Sequence, residues 1–348
     1  MKSNYRYIVK AFMAMAVIAG TTSCDDFLDR EPMSSISPET YYSTAAQLEA
    51  NLNDEYPNVL PSFGQWTYGI FGEDKGTDNQ IEVNANDRYT QDRWKVPHSE
   101  SDNWKFERIY RINFFLSEAL PKFGEDMSGS QNTISGSVAT IKHYIGEMYF
   151  LRAYEYFKKL QLFGDFPIIN QPLADEMEAL REASKRFPRN EVARFIISDL
   201  DKAYAYMSDV DMATTRINKD VAMLVKSRVA LFEATWLQNF KGTAFVPGGE
   251  GWPGASLHNN YQYPSGNIDN EVKYFLEQAV EASKLVADKY KGSLTENTGV
   301  LQQSADDPSN PYFDMFAQED LSDVKEVLLW RQYARGLSTH NILSLIHI

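Results

Sequence analysis

Apolar residues, with an occasional Asn or Ser among them, return at intervals of three and four along five stretches of the chain. This spacing lines side chains up on one face of a helix. Phe106, Ile109, Asn113, Leu116 and Leu120 form the first stripe, and Ile145, Tyr149, Ala153, Tyr156 and Leu160 the second. Val192, Ile196, Leu200, Ala203 and Met207 follow, then Ala222, Val225, Val229, Phe232 and Trp236, and last Val272, Leu276, Ala279, Ser283, Val286 and Tyr290. Each predicts an amphipathic helix. Start and stop signals agree: Thr44 and Gln47 have capping-box spacing before "LEANLNDEY", and Gly164 follows "FKKLQLF" where a helix should end. Ala153, Ala203 and Ala279 sit at helix centres, where close antiparallel packing needs small side chains. The pattern predicts a mainly α fold of stacked helix pairs in the tetratricopeptide manner, with irregular spacing and without the strict repeat signature. Tyr149, Phe157 and Phe232 lie within the stripes and are assigned to packing.

Two stretches carry no helical period. Residues 61–103 mix Trp66, Tyr68, Tyr89 and Trp94 with Asp, Asn and Gln, and residues 241–270 set Trp252, Tyr261 and Tyr263 among Gly, Pro and Asn. Loops this long inside a compact domain are usually functional or disordered, and an aromatic content this high argues against disorder.

The N-terminus has a different character. Lys2, Arg6 and Lys10 precede the uncharged run "AFMAMAVIAG", residues 11–20, which is too short to span a bilayer and has the polarity of a secretory signal. Thr21, Thr22 and Ser23 then lead into Cys24, the single cysteine of 348 residues. One cysteine closes no intrachain disulfide, and the arrangement is that of a bacterial lipoprotein cleavage site. Residues 1–23 are therefore expected to be a signal peptide and Cys24 the lipidated first residue of the mature chain, since several acyl chains anchor stably where one does not. Asp25, Asp26 and Asp29 follow it, as in the surface-export signals of Bacteroidetes lipoproteins.

The formal net charge is −14. Loss of residues 1–23 removes three positive charges and no acid, so the mature chain is three units more negative. Such a surface repels nucleic acid and anionic lipid, and no phosphate-binding role is expected. With 43% hydrophobic and 24% charged residues the chain has enough apolar material for a substantial core. His98, His143, His258, His340 and His347 fall into no metal-binding spacing, and no phosphate loop or nucleophile elbow occurs. Acids are plentiful, including Glu73, Asp74 and Asp78 beside the first loop's aromatics, but they define no glycosidase pair. The expectation is a protein that is not an enzyme and has neither metal nor cofactor.

Several segments in order, "CDDFLDREP", "NWKFERIYRINFFLSEAL", "GEMYFLRAYEYFKKLQLFGDFPII", "FIISDLDKAYAYM", "TRINKDVAMLVKSRVALFEATW" and "EVLLWRQYARGLSTHN", resemble the SusD/RagB family of outer-membrane nutrient-binding lipoproteins. The resemblance implies a helical tetratricopeptide-like scaffold with long irregular loops, lipid-anchored and facing outward. It also implies capture of an oligosaccharide and delivery to a partner TonB-dependent transporter. A peptide-capturing lid of the same type, or a helical scaffold that binds a protein partner, stays open as an alternative. Sugar capture needs flat aromatic faces against a pyranose ring, with amides and carboxylates on its hydroxyls. Trp66, Tyr89 and Trp94 are the expected platform, with Asp78 and Asn79 as polar partners; Trp252 and Tyr263 form a second candidate. Trp104, in the helix-start motif, is assigned to the core.

Family members continue well past the point where the resemblance stops, so residues 24–342 are expected to be an incomplete SusD-like domain. Residues 343–348, "LSLIHI", alternate like a strand. They are also what CTGTCTCTTATACACATC encodes, the end of a transposon used to fragment DNA for sequencing, and are read as an artefact.

Overall fold

The computed structural model describes residues 41–61, 80, 103–124, 126–208, 212–301, 304, 306–316 and 318–332. In chain order its helices are α1 (Ala45–Val59), α2 (Glu107–Phe123), α3 (Val138–Phe163), α4 (Met177–Ala183), α5 (Arg189–Tyr206), α6 (Lys219–Asn239), α7 (Ile268–Tyr290) and α8 (Pro311–Met315), with a 3-10 turn at Pro253–Ser256. Among the described residues β structure is limited to two isolated bridges, Thr44 with Ser135 and Phe166 with Phe187.

Local chemistry fixes the ends. The Thr44 hydroxyl accepts from the Gln47 amide while the Gln47 side chain accepts from the Thr44 amide, the reciprocal capping box expected from sequence. Ser137, Asn218 and Asn267 cap α3, α6 and α7 in the same one-sided way, and α3 stops at Gly164, whose φ of 68° suits glycine.

At 26 residues, α3 is the longest helix and is buried around most of its circumference, between α1, α2 and α5. Its expected stripe, Ile145 to Leu160, is wholly buried, as is that of α5, Val192 to Met207. On α2, Ile109, Asn113 and Leu116 are buried while Phe106 and Leu120 pack at the core edge. Packed between α5 and α7, α6 buries Ala222 and Val229 of its expected stripe, whereas Val225, Phe232 and Trp236 pack partly buried at the core edge.

The last stripe needs correction. On α7 the buried residues are Glu271, Phe275, Ala279, Ala282 and Val286, and Leu276 is exposed. This set is also helical in spacing and shares Ala279 and Val286 with the expected one. Position 271 turns inward because Arg194 of α5 and Asn190 meet its carboxylate.

Paired side chains give the order and direction of packing. Arg152 of α3 holds Asp199 of α5 through two hydrogen bonds of 2.6 and 2.8 Å and also donates to Asn113 of α2. Closer to its N-terminus, Gly146 of α3 meets α5 so closely that a Cβ there would lie 2.8 Å from the Met207 nitrogen and 2.9 Å from the Ala203 oxygen. Arg189 at the start of α5 binds Glu233 near the end of α6, whereas Lys226 early in α6 binds Asp201 late in α5. Asp220 at the start of α6 binds Lys289 at the end of α7. The helices α2, α3, α5, α6 and α7 therefore alternate in direction. On the other side, Tyr42 just before α1 packs edge-on against Phe115 in the body of α2, and Arg111 early in α2 binds Glu55 late in α1. Hence α1 is antiparallel to α2 and parallel to α3.

Alternation has a topological consequence. The C-termini of α1, α3 and α6 and the N-termini of α2, α5 and α7 all lie at one end of the array. The long connections 60–106, 164–188 and 240–267 emerge there, and the shorter ones, 124–137 and 207–218, lie at the other.

Candidate functional site

At the long-loop end, a cleft of about 500 Å³ opens between the end of α3, the start of α5, the end of α6 and the loop that follows it. Its floor follows from the way α5 begins. Pro188 occupies the cap position and offers no side-chain acceptor, so Asp165, just past the end of α3, supplies one: its Oδ1 accepts from the Arg189 amide at 2.9 Å. Its Oδ2 accepts from Trp252 Nε1 at 2.7 Å. Burial pushes the Asp165 carboxyl above the usual range, against these two hydrogen bonds.

The wall comes from α6. Glu233 is fully buried, and Arg189 donates to it through Nε and Nη2. Burial raises the Glu233 carboxyl, and the Arg189 charge opposes the shift. The same guanidinium lies 4.1 Å from the centre of the Trp236 ring, and Trp236 Nε1 donates to the Phe245 carbonyl at 3.1 Å. Phe245, Leu162 and Leu257 remain more than half exposed on the rim, around the mouth of the cleft. Arg186 also lines it, with its guanidinium 4.5 Å from the centre of Trp104.

Loop 241–267 is packed down by its own aromatics. Trp252 is 5% exposed, stacked near His258 and tilted against Tyr261, and presents part of its indole to the cleft. Gly254 permits this, since a Cβ there would fall 2.1 Å from the Trp252 ring. Tyr263 is half-buried, donates to the Pro247 carbonyl at 2.7 Å and reaches Trp252 only through Tyr261. Of the expected pair, Trp252 lines the cleft and Tyr263 supports the loop behind it. The cleft aromatics that sequence reasoning did not assign to a site are Phe163 at the end of α3, Trp236, the last residue of its helical stripe, and Phe245, five residues past the C-cap of α6.

Cys24, Trp66, Asp78, Asn79, Tyr89 and Trp94 lie outside the described residues. The two ends of the loop that carries the aromatics among them are nevertheless placed. Lys158 donates to the Val59 carbonyl and Lys159 to the Asn103 carbonyl, so consecutive lysines near the end of α3 hold both ends. Trp104 packs edge-on against Phe106, Phe163 and Phe166, in keeping with a place at the core edge.

Beside the cleft, and sharing Leu162 with it, lies a notch of about 390 Å³ lined by Lys105, Arg108, Lys158 and Lys159 with Glu107 and Glu155. Among the described residues no group of His, Cys, Asp and Glu could hold a metal ion, and no helix is long and apolar enough to cross a membrane.

The described residues form an array of alternating α-helices with an aromatic and guanidinium-lined cleft at the end where its long connections begin and end. Residues 26–231 match the SusD-like family, described as starch-binding and associating with the outer membrane, and the chain belongs to that family. The matched span ends within α6, so loop 241–267 lies beyond it. The chain is similar to SusD-like protein P2 of Formosa agariphila, 25% identical over 253 residues that cover 69% of this chain and 46% of that protein. SusD-like protein P25 of the same organism is 25% identical over 233 residues, covering 62% and 41% respectively. Among solved structures, the chain is similar to a SusD-like carbohydrate binding protein from Bacteroides fragilis, with 16% identity and a TM-score of 0.42 over 74% of this chain and 42% of that one. The chain spans about half the length of the curated relatives it matches.

Proposed function

We propose that this chain is the glycan-capturing part of an outer-membrane lipoprotein that binds an oligosaccharide in the cleft and passes it, chemically unchanged, to a TonB-dependent transporter. The observation that carries this reading is the cleft: Phe245 and the Trp252 edge offer apolar faces to a sugar ring, with Arg186 and Gln161 at hand to donate to its hydroxyls. In this reading Trp66, Tyr89 and Trp94 with Asp78 and Asn79, aromatic and polar residues of the first long connection, are further ligand contacts. Membership of a family described as starch-binding and outer-membrane-associated supports both the ligand class and the location. Lipidation of Cys24 supplies the tether.

The test is a glycan array on the full chain, followed by titration of the retained sugars. Phe245 is exposed and its loss leaves the core intact, so Phe245→Ala is expected to weaken binding several-fold, a stacking aromatic being worth on the order of 1 kcal/mol. Retention of no glycan, or equal binding by Phe245→Ala, refutes the reading of the cleft. For the tether, Cys24→Ala should abolish co-fractionation with the outer membrane; unchanged attachment refutes it.

A further inference from the structure

The protein is acidic, yet the notch beside the cleft is basic. In the notch, Arg108, Lys158 and Lys159 stand 3.8, 2.7 and 3.4 Å from one buried carboxylate, Glu155. Lys105 and Glu107 line the same space, so four cations face two anions and the notch keeps a local positive excess. On a chain whose formal net charge is −14 such an excess is a local exception.

The second observation lies in the cleft. Its two guanidinium groups are in opposite states. Arg189 is spent: buried, held bidentately by Glu233 and stacked on Trp236. Arg186 is exposed and rests on Trp104, and among the described residues no acceptor takes a hydrogen bond from its guanidinium. Its backbone is fixed, because His258 Nε2 donates to the Arg186 carbonyl at 2.8 Å. A guanidinium stacked on an indole, with its donors open, is pre-organised for two-point hydrogen bonding to a planar carboxylate or a sulfate. Asp165 takes no hydrogen bond from Arg186, its oxygens accepting instead from Arg189 and Trp252, although the two charges attract.

Resting on the glycan-capture reading, we propose that cleft and notch form one continuous site selective for acidic oligosaccharides. A sugar ring packs in the aromatic cleft, its carboxylate or sulfate is held by Arg186, and further anionic groups along the chain lie toward Arg108 and Lys105. The cations of the notch then have a second role beyond holding the loop ends: they offset the repulsion that the rest of the surface exerts on an anionic ligand.

The test is titration of the full chain with three probes of similar length: an oligogalacturonate, a sulfated galactan oligosaccharide and neutral maltohexaose. At least one acidic probe is expected to bind ten-fold or more tighter than maltohexaose at low salt, with the advantage shrinking as salt rises. Arg186→Gln should remove most of that advantage without changing the helical circular-dichroism signal. Arg181→Gln, an exposed arginine on α4 paired with Glu178, should leave it unchanged. Which acidic probe depends on Arg186 identifies the group as carboxylate or sulfate. Equal or tighter binding of maltohexaose, or an acidic preference untouched by Arg186→Gln, overturns the proposal and leaves glycan capture standing. Binding of no sugar by the parent chain overturns both.

Discussion

The two ends of the helix array use the same kinds of side chain to different effect. At the end with shorter connections, polar groups satisfy one another. Asp126 accepts from Ser128 and Ser130, Asn132 folds back on Ile134, and Glu147 accepts from Tyr56 and Arg216 beside His143. At the long-loop end the inner layer is paired through Arg189 with Glu233 and Arg194 with Glu271, while Glu55 and Glu155 keep buried carboxylate oxygens that meet cations but accept no hydrogen bond, and the layer outside leaves Arg186 and the Phe245 ring facing solvent. Rigid pairing underneath with open groups above is what a binding surface needs, because the scaffold meets the cost of order before the ligand arrives. The first end is a closure, and the second is a platform.

The largest test of this contrast removes the tie between the ends. Arg152 and Asp199 are buried at mid-array, and a lone charge left there is costly, so Asp199→Ala is expected to destabilise by about 3–5 kcal/mol. Urea denaturation followed by circular dichroism checks it. A loss below about 1 kcal/mol would mean that the pair holds little of the array together.

Glycine substitutions at either end sharpen the comparison. Gly146→Ala presses α3 against α5 at the closed end, and Gly254→Ala drives a methyl into the Trp252 ring at the platform. Overpacking of this sort costs about 1–3 kcal/mol. Gly146→Ala should lower global stability with glycan affinity kept, whereas Gly254→Ala should shift tryptophan fluorescence and weaken glycan binding at a smaller global cost. Identical effects from the two would erase the distinction between the ends.

The smallest effect is in pH dependence, where the ends differ in sign. Burial raises Asp165, so the native state binds its proton more readily than the unfolded chain does; its contribution to stability grows as pH falls from neutral toward the ordinary carboxylate range. Hydrogen bonds from Ser128 and Ser130 lower Asp126, so its contribution is present above its unfolded pKa and is lost as pH falls through the folded one. Between pH 7 and 3, Asp165→Asn should therefore steepen the acid loss of stability and Asp126→Asn should flatten it slightly. Slopes of the same sign would contradict these environments.

The helices and several of their ends were legible in the sequence because their causes are local. Burial of Ile145, Tyr149, Ala153, Tyr156 and Leu160 repeats with the helix period, and the Thr44 capping box and the Gly164 stop act within a few residues of themselves. The family was legible for the same reason, from ordered stretches of such local pattern. The α7 stripe marks where local cause runs out. Leu276 and Phe275 are neighbours with equal claim to the core, and the choice rests on Glu271 meeting Arg194, 77 residues away. The candidate site shows the same division. Trp252 stood out as an aromatic in a glycine-rich loop, but Trp236 carried only the helical spacing of a core residue, and nothing near Arg186 or Arg189 in sequence tells the open guanidinium from the spent one. Arg189 is spent because Glu233, 44 residues on, lies buried beside it. Sequence alone thus determined which segments coil and which loops are rich in aromatics, since backbone propensity and side-chain periodicity are properties of neighbours. Only the tertiary structure decided that those loops share one end, because that follows from the alternating direction of packed helices, and direction is set by contacts between residues far apart in the chain.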